Sequence, residues 1–188
     1  METYLIKTQK FWAFIILPMI NFLAWFMADP LFENITHIAY ANHHFPFVLI
    51  WASTCAVYLW CYTLLLMKQI GYTKKSVILF LTLSCLFMII SVCIPYQSEA
   101  SDEISHLHVN LAILATVTYI VLFLYLLCRL FYHQPLLWQR IIPPYLCIII
   151  LLLLLLLLLG HISMLMETLF VMGMGIFHWW IQHVLQTQ

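Results

Sequence analysis

An all-α, polytopic membrane bundle of six spans is predicted by three observations. Of the 188 residues, 65% are apolar and only 7% are charged. The apolar residues gather into runs long enough to cross a bilayer. Every Lys and Arg lies before the first run or at alternate connections between the runs. A soluble domain carries roughly 25% charged residues, so water is not the main solvent of this chain. Each crossing takes about 20 residues, and six take about 120, leaving only short connections. A single integral membrane domain over residues 1–188 follows, with no room for a soluble catalytic domain. Seven Lys plus Arg balance seven Asp plus Glu, so no basic excess points to a nucleic-acid partner or a polybasic tail.

Span one is expected at about 11–27. Lys7 and Lys10 precede it as the charged start of a signal peptide would. Phe26, however, occupies the minus-three position relative to Ala28, where cleavage needs a small residue, so the span is expected to stay uncleaved. Pro18 and Asn21 within it predict a kink or a local hydrogen bond. The connection 29–44 is longer than a turn needs. With Asp29 as cap and Pro30 at the first position, Leu31, Phe32, Ile35, Ile38 and Ala39 share one face, which predicts a short amphipathic helix on the membrane in the first outer loop.

Spans two and three, about 45–67 and 77–95, flank Lys68, Lys74 and Lys75, with Ser76 as cap of span three and Ser84 and Ser91 inside it as local hydrogen-bonding residues. Span four, about 104–131, is expected to begin with Ser101 as cap and Asp102 and Glu103 in its positive first turn. Pro143-Pro144 suit the start of span five, about 143–160, whose nine leucines at 151–159 are lipid-compatible helix without a functional signal. Span six, about 162–185, must be separate, because about 40 residues of unbroken helix would measure about 60 Å, twice the bilayer core. Gly160-His161 is the only local breaker.

Under this layout Lys7, Lys10, Lys68, Lys74, Lys75, Arg129 and Arg140 share one side with both termini, and that side is expected to be cytoplasmic. Asp29, Glu33, Glu99, Asp102, Glu103 and His161 mark the other side. Tyr132, Trp138 and Tyr145, with Trp179 and Trp180, read as interfacial anchors. The chain's compactness and the lack of a recognisable targeting signal point to a bacterial plasma membrane. The Asn34-Ile35-Thr36 sequon would matter only in a secretory-pathway membrane. Six cysteines without a C-x-x-C pair read as reduced packing or lipid-facing thiols.

Polar residues that bear chemistry concentrate on the outer side. Glu33 and His37 are four apart, as are His106 and Asn110, and Glu167 lies about 9 Å along the helix from His161. A carboxylate inside a span is costly unless paired or wet, which makes Glu167 the foremost candidate. It either bonds His106 or Asn110 and locks span six against span four, or serves a ligand, proton or ion. His37, His43, His44, His106 and His108 are candidate metal ligands, but zinc needs three or four that converge, and two histidines two residues apart face different sides of a helix. Met164, Met166, Met172 and Met174 offer soft thioethers, yet their spacing of two reads as packing rather than a copper path. Gly173 and Gly175 allow close helix approach. His178 and His183, placed near the inner interface, complete no catalytic set, and no cofactor is implied.

Phe32-Glu33-Asn34-Ile35 in the first outer loop, Ser105-His106-Leu107-His108-Val109-Asn110 opening span four, and Glu167 in span six form a layout that resembles the six-span superfamily of the damage-regulated autophagy modulators and their uncharacterised bacterial relatives. The similarity covers most of the chain, as topology. It implies a membrane protein without established enzymatic activity, in which the outer loop and the polar residues of spans four and six support packing or lipid association. It supplies no catalytic residue. Asn42-His43-His44 departs from the pattern and leaves room for a binding role particular to this chain. The expected function is therefore non-catalytic. Glu33, His37, His106, Asn110 and Glu167 organise a bundle whose partners are the lipid bilayer and a lipid headgroup or small solute. The rivals are a small-solute, ion or proton transporter using the same cluster, and a membrane-embedded metal-dependent hydrolase.

Overall fold

The computed structural model describes residues 2–96 and 103–187. Helix accounts for 84% of it, with no strand among the described residues. Five helices are long and apolar enough to cross a membrane, as in an integral membrane protein: α4 (Phe45–Gln69), α5 (Lys75–Val92), α6 (Glu103–His133), α7 (Pro135–Leu159) and α8 (Met164–Gln186).

The first apolar run is built differently. It consists of α1 (Glu2–Phe11), a π-helical turn at Trp12–Ile16, and α2 (Leu17–Trp25). Pro18 has no N–H to offer the Phe14 carbonyl four residues back. Just upstream the helix widens, so that the Leu17 N–H bonds Trp12 O, five residues back. Phe11 and Leu17, at the two ends of the wide turn, keep right-handed helical angles, φ −62° and ψ −43° and φ −62° and ψ −49°. The irregularity expected at Pro18 is thus a bulge in a helical path rather than a break. One turn on, Asn21 Nδ2 donates to Leu17 O at 2.7 Å, and its Oδ1 accepts from Trp51 Nε1 at 3.0 Å. The buried amide is satisfied on both sides and ties this helix to α4.

Neighbours in sequence pack as neighbours in space, α4 on α5, α5 on α6, α6 on α7 and α7 on α8, while α8 returns to touch α4 and the first helical stretch. Burial ranks the helices: 56% of the apolar window is buried in α4 and in α8 but only 11% in α7. The leucine run of α7 therefore lies on the periphery, and α4 and α8 form the centre. Lipid tails are as apolar as leucine, so helices gain nothing by burying leucine alone and associate through close packing and polar contacts. Gly175 shows the first of these. A Cβ there would stand 2.7 Å from Leu17 Cδ1 and 4.0 Å from Ala13 Cα.

Several local expectations are corrected. The loop helix α3 spans only Ile35–Tyr40. Asp29 instead closes a turn, accepting from the N–H groups of Leu31 and Phe32, and Asn34 caps α3 by accepting from His37 N at 3.0 Å. Ile35, Ile38 and Ala39 are buried against the bundle, whereas Leu31 and Phe32 are exposed. The amphipathic face is thus spent on protein contact. The helix α7 begins at Pro135, so Pro143 and Pro144 lie inside it. The carbonyls they leave without a helical partner belong to the exposed residues Gln139 and Arg140, where the loss is cheapest. Ser76 sits inside α5 beyond an uncapped N-terminus at Lys74. Tyr145 is buried rather than interfacial and donates to Ile120 O at 2.8 Å. The expected cap at Ser101, with Asp102, falls outside the described residues. Gly160 ends α7 in the left-handed region at φ 72°, as the breaker reading anticipates. None of the cysteines is paired; Cys55 and Cys85 are buried, and Cys93, Cys128 and Cys147 are exposed.

Candidate functional site

Loop 29–44, the α7–α8 turn and the neighbouring ends of α5 and α6 meet in one polar cap. The loop is pinned by its backbone: Met164 N donates to Glu33 O at 2.6 Å and Leu165 N to Pro30 O at 2.8 Å. His161 Nε2 lies 3.0 Å from Leu31 O. Glu33 closes the local structure, with Oε2 accepting from Asp29 N at 2.7 Å and Oε1 2.8 Å from His37 Nε2. Both side chains are partly exposed, so the pair contributes at most about 1 kcal/mol.

Glu167, in the first turn of α8, reaches across to α3. Its Oε2 accepts from Ile35 N at 2.8 Å, joining residues 132 apart in sequence. No hydrogen bond to Oε1 occurs among the described residues. The half-buried side chain lines a cavity of about 60 Å³ together with Trp51, Ser91, Ala112, Thr116 and Phe170. A water needs about 10–15 Å³ of such space, so a few fit. A carboxylate with one oxygen latched, on a residue that lines a small cavity, can hold water or a small cation there.

The structure separates the remaining expected members. His106 and Asn110 are exposed on α6 and bond neither Glu167 nor each other. The inward-facing histidine of α6 is His108. Its Nδ1 donates to Ser91 O at 2.7 Å, which leaves Nε2 to accept from Thr36 Oγ1 at 3.2 Å. This second latch ties α6 to both α5 and α3. His43 and His44 are exposed, and the φ of His43 is 59°. Among the described residues no three His, Cys, Asp or Glu side chains converge as a metal centre requires.

A second polar cluster escapes the sequence reading. His178 lies about 21 Å along α8 from Met164 and is enclosed by the bundle. Nδ1 donates to Met174 O at 2.6 Å, so Nε2 is the acceptor, 3.1 Å from Thr63 Oγ1 and 3.3 Å from Tyr119 OH. The two hydroxyls are 2.8 Å apart. Tyr58 OH donates to Gly175 O at 2.9 Å beside them. Toward the end of α8, Gln69 and Gln182 form a reciprocal amide pair. The available signal was polar residues of α4, α6 and α8 recurring at similar depth, which becomes informative only once the three helices are known to touch.

Comparison with protein families, with curated proteins and with solved structures finds no match for this chain.

Proposed function

We propose that the protein is a non-catalytic, six-span integral membrane protein of a bacterial plasma membrane. In this reading its outer polar cap is latched shut by Glu167 and encloses a site for a small polar solute. The observation that carries the reading is Glu167, which is latched to Ile35 N through Oε2 and lines a cavity. A cavity of about 60 Å³ suits a few waters or an ammonium-sized cation and is too small for a lipid headgroup.

The sixth crossing is supplied by the stretch from Phe11 to Trp25. Its Phe14, Ile15, Met19, Phe22 and Leu23 are exposed, as lipid-facing residues of a span would be. Both termini are then cytoplasmic, because a six-span layout puts Lys7, Lys10, Lys68, Lys74, Lys75, Arg129 and Arg140 on one side. Contacts at that end support the arrangement, with Lys68 Nζ 3.4 Å from Glu2 Oε1 and Arg129 stacked on Tyr72. The likeness to the damage-regulated autophagy modulator superfamily belongs to this reading, since that layout implies an outer loop and polar residues of spans four and six that support packing or lipid association.

Glu167→Gln and Glu167→Ala test it. The glutamine carbonyl still accepts from Ile35 N, so thermal stability in mild detergent stays near wild type. Alanine leaves that N–H unpaired and costs about 1–3 kcal/mol. Equal loss in both variants would instead require the charge. The transport reading is favoured by a carboxylate residue lining a cavity inside the bundle. It requires proteoliposomes to pass protons, ammonium or potassium faster than empty vesicles, and Glu167→Gln to abolish that flux. A binding site predicts no such flux.

A further inference from the structure

The basic end of the bundle carries a second feature, remote from Glu167. Between α5 and α6 runs a groove of about 550 Å³, within the roughly 300–1,000 Å³ of ligand-binding clefts. Its floor is apolar, with Phe80, Val117 and Val121 among the lining residues, and Tyr72, Lys74 and Tyr125 form its polar mouth. Phe80, Val117 and Val121 are exposed and so face lipid.

The mouth is organised around Tyr72. The Arg129 guanidinium lies 4.8 Å from its ring centroid and Lys74 Nζ lies 5.7 Å from it. The Tyr72 and Tyr125 hydroxyls are 2.6 Å apart. The Tyr72 hydroxyl is held below the usual phenol range, first by its hydrogen bond with Tyr125 and further by Arg129 and Lys74. Either hydroxyl can donate in that bond, and when Tyr125 does, the Tyr72 proton remains to be given outward.

Both cations lack an anionic counterpart. Among the described residues neither Lys74 nor Arg129 has a carboxylate in salt-bridge range. Arg129 Nε is buried and has no hydrogen-bond acceptor among the described residues. Among the described acidic residues, Glu2 lies at this end, and it pairs with Lys68. A buried guanidinium N–H without an acceptor is costly, and an arginine fork matches phosphate geometry. Basic pockets between membrane helices recognise anionic headgroups.

We infer that the α5–α6 groove is a binding site for an anionic phospholipid, its phosphate held by Lys74, Arg129 and the Tyr72 hydroxyl and one acyl chain lying along Phe80, Val117 and Val121. The apolar floor continuous with the basic mouth selects a lipid over free phosphate, because the floor offers phosphate nothing. The site is independent of the reading of Glu167.

The test is lipid retention by the full chain in native mass spectrometry, with dioleoylphosphatidylglycerol, dioleoylphosphatidylcholine and inorganic phosphate as separate probes. Wild type is expected to prefer the glycerol lipid over the choline lipid. Each basic residue near an anionic headgroup contributes about five-fold, so Lys74→Gln should cut the preference about five-fold and Lys74→Gln with Arg129→Gln about 25-fold. Val121→Trp leaves the charges and fills the floor, and should weaken retention of both lipids. Lys74 is exposed, so its single variant reports on binding even if the double variant fails to fold. Equal retention of both lipids by wild type, an unchanged preference in Lys74→Gln, or retention of inorganic phosphate matching that of the lipid would overturn the site.

Discussion

Gly175→Leu is expected to undock the first helical stretch from α8 and to abolish recovery of monodisperse protein in detergent. Gly175 is buried, and even a single Cβ there would meet Leu17 Cδ1 at 2.7 Å, with Tyr58 Cε1 at 3.8 Å on another side. Leu17 is itself fully enclosed and has little room to yield. Gly175→Ala, the smallest step, should cost about 1–3 kcal/mol by overpacking. Leucine adds three more carbons at the same place. The backbone is at stake as well, since Gly175 O accepts from Tyr58 OH, a bond that any retreat of α8 would stretch. Gly173→Ala is the control. A Cβ there would lie at 3.4 Å from Ile148 side-chain atoms, close to ordinary contact. The expected order by thermal unfolding in one detergent is wild type and Gly173→Ala together, then Gly175→Ala, with Gly175→Leu unmeasurable. Gly175→Ala as stable as Gly173→Ala would mean that the α2–α8 approach is not tight.

His178→Ala carries the second large effect. The imidazole fills the centre of the bundle, with Phe123 at 5.2 Å and Tyr58 at 6.1 Å between ring centroids. It also provides the acceptor for whichever of the Thr63 and Tyr119 hydroxyls does not donate to the other. Truncation leaves a cavity and an unpaired hydroxyl proton together, a loss of about 3–5 kcal/mol. For a chain of this length that amounts to a fall of roughly 6–20 °C in apparent Tm. The triple change His178→Leu, Thr63→Val and Tyr119→Phe removes donors and acceptors together and should recover much of the loss, because replacing both partners by apolar groups is nearly neutral where removing one is not. A single variant within 1 °C of wild type would show that the network contributes no stability.

The outer site was legible in part. Glu167 stands out in sequence because a carboxylate within an apolar run needs a reason. Its partner did not, because that partner is the backbone N–H of Ile35, and every residue but proline carries one. Likewise Ser105-His106-Leu107-His108 offers two histidines with no local cue to the inward one. The structure turns His108 to Ser91 and Thr36 and leaves His106 outside. Loop 29–44 was foreseen as structured, but its helix starts at Ile35 because Asn34 supplies the cap and the α7–α8 turn holds the preceding residues. Pro143-Pro144 were read as a helix start from local chemistry alone, whereas the earlier Pro135 opens α7.

What the sequence by itself determined is the class of solvent, the long apolar helices and the turn at Gly160. These depend on hydropathy, length and single residues such as glycine, which act locally and add along the chain. What only the tertiary structure decided is the rotation of each helix about its axis, and with it the latch at Glu167, the His178 network and the groove at Tyr72. In a soluble helix an amphipathic stripe sets that rotation. Here lipid and protein interior are both apolar, so the faces of a helix look alike in hydropathy and the choice falls to packing at Gly175 and to pairwise hydrogen bonds between distant residues.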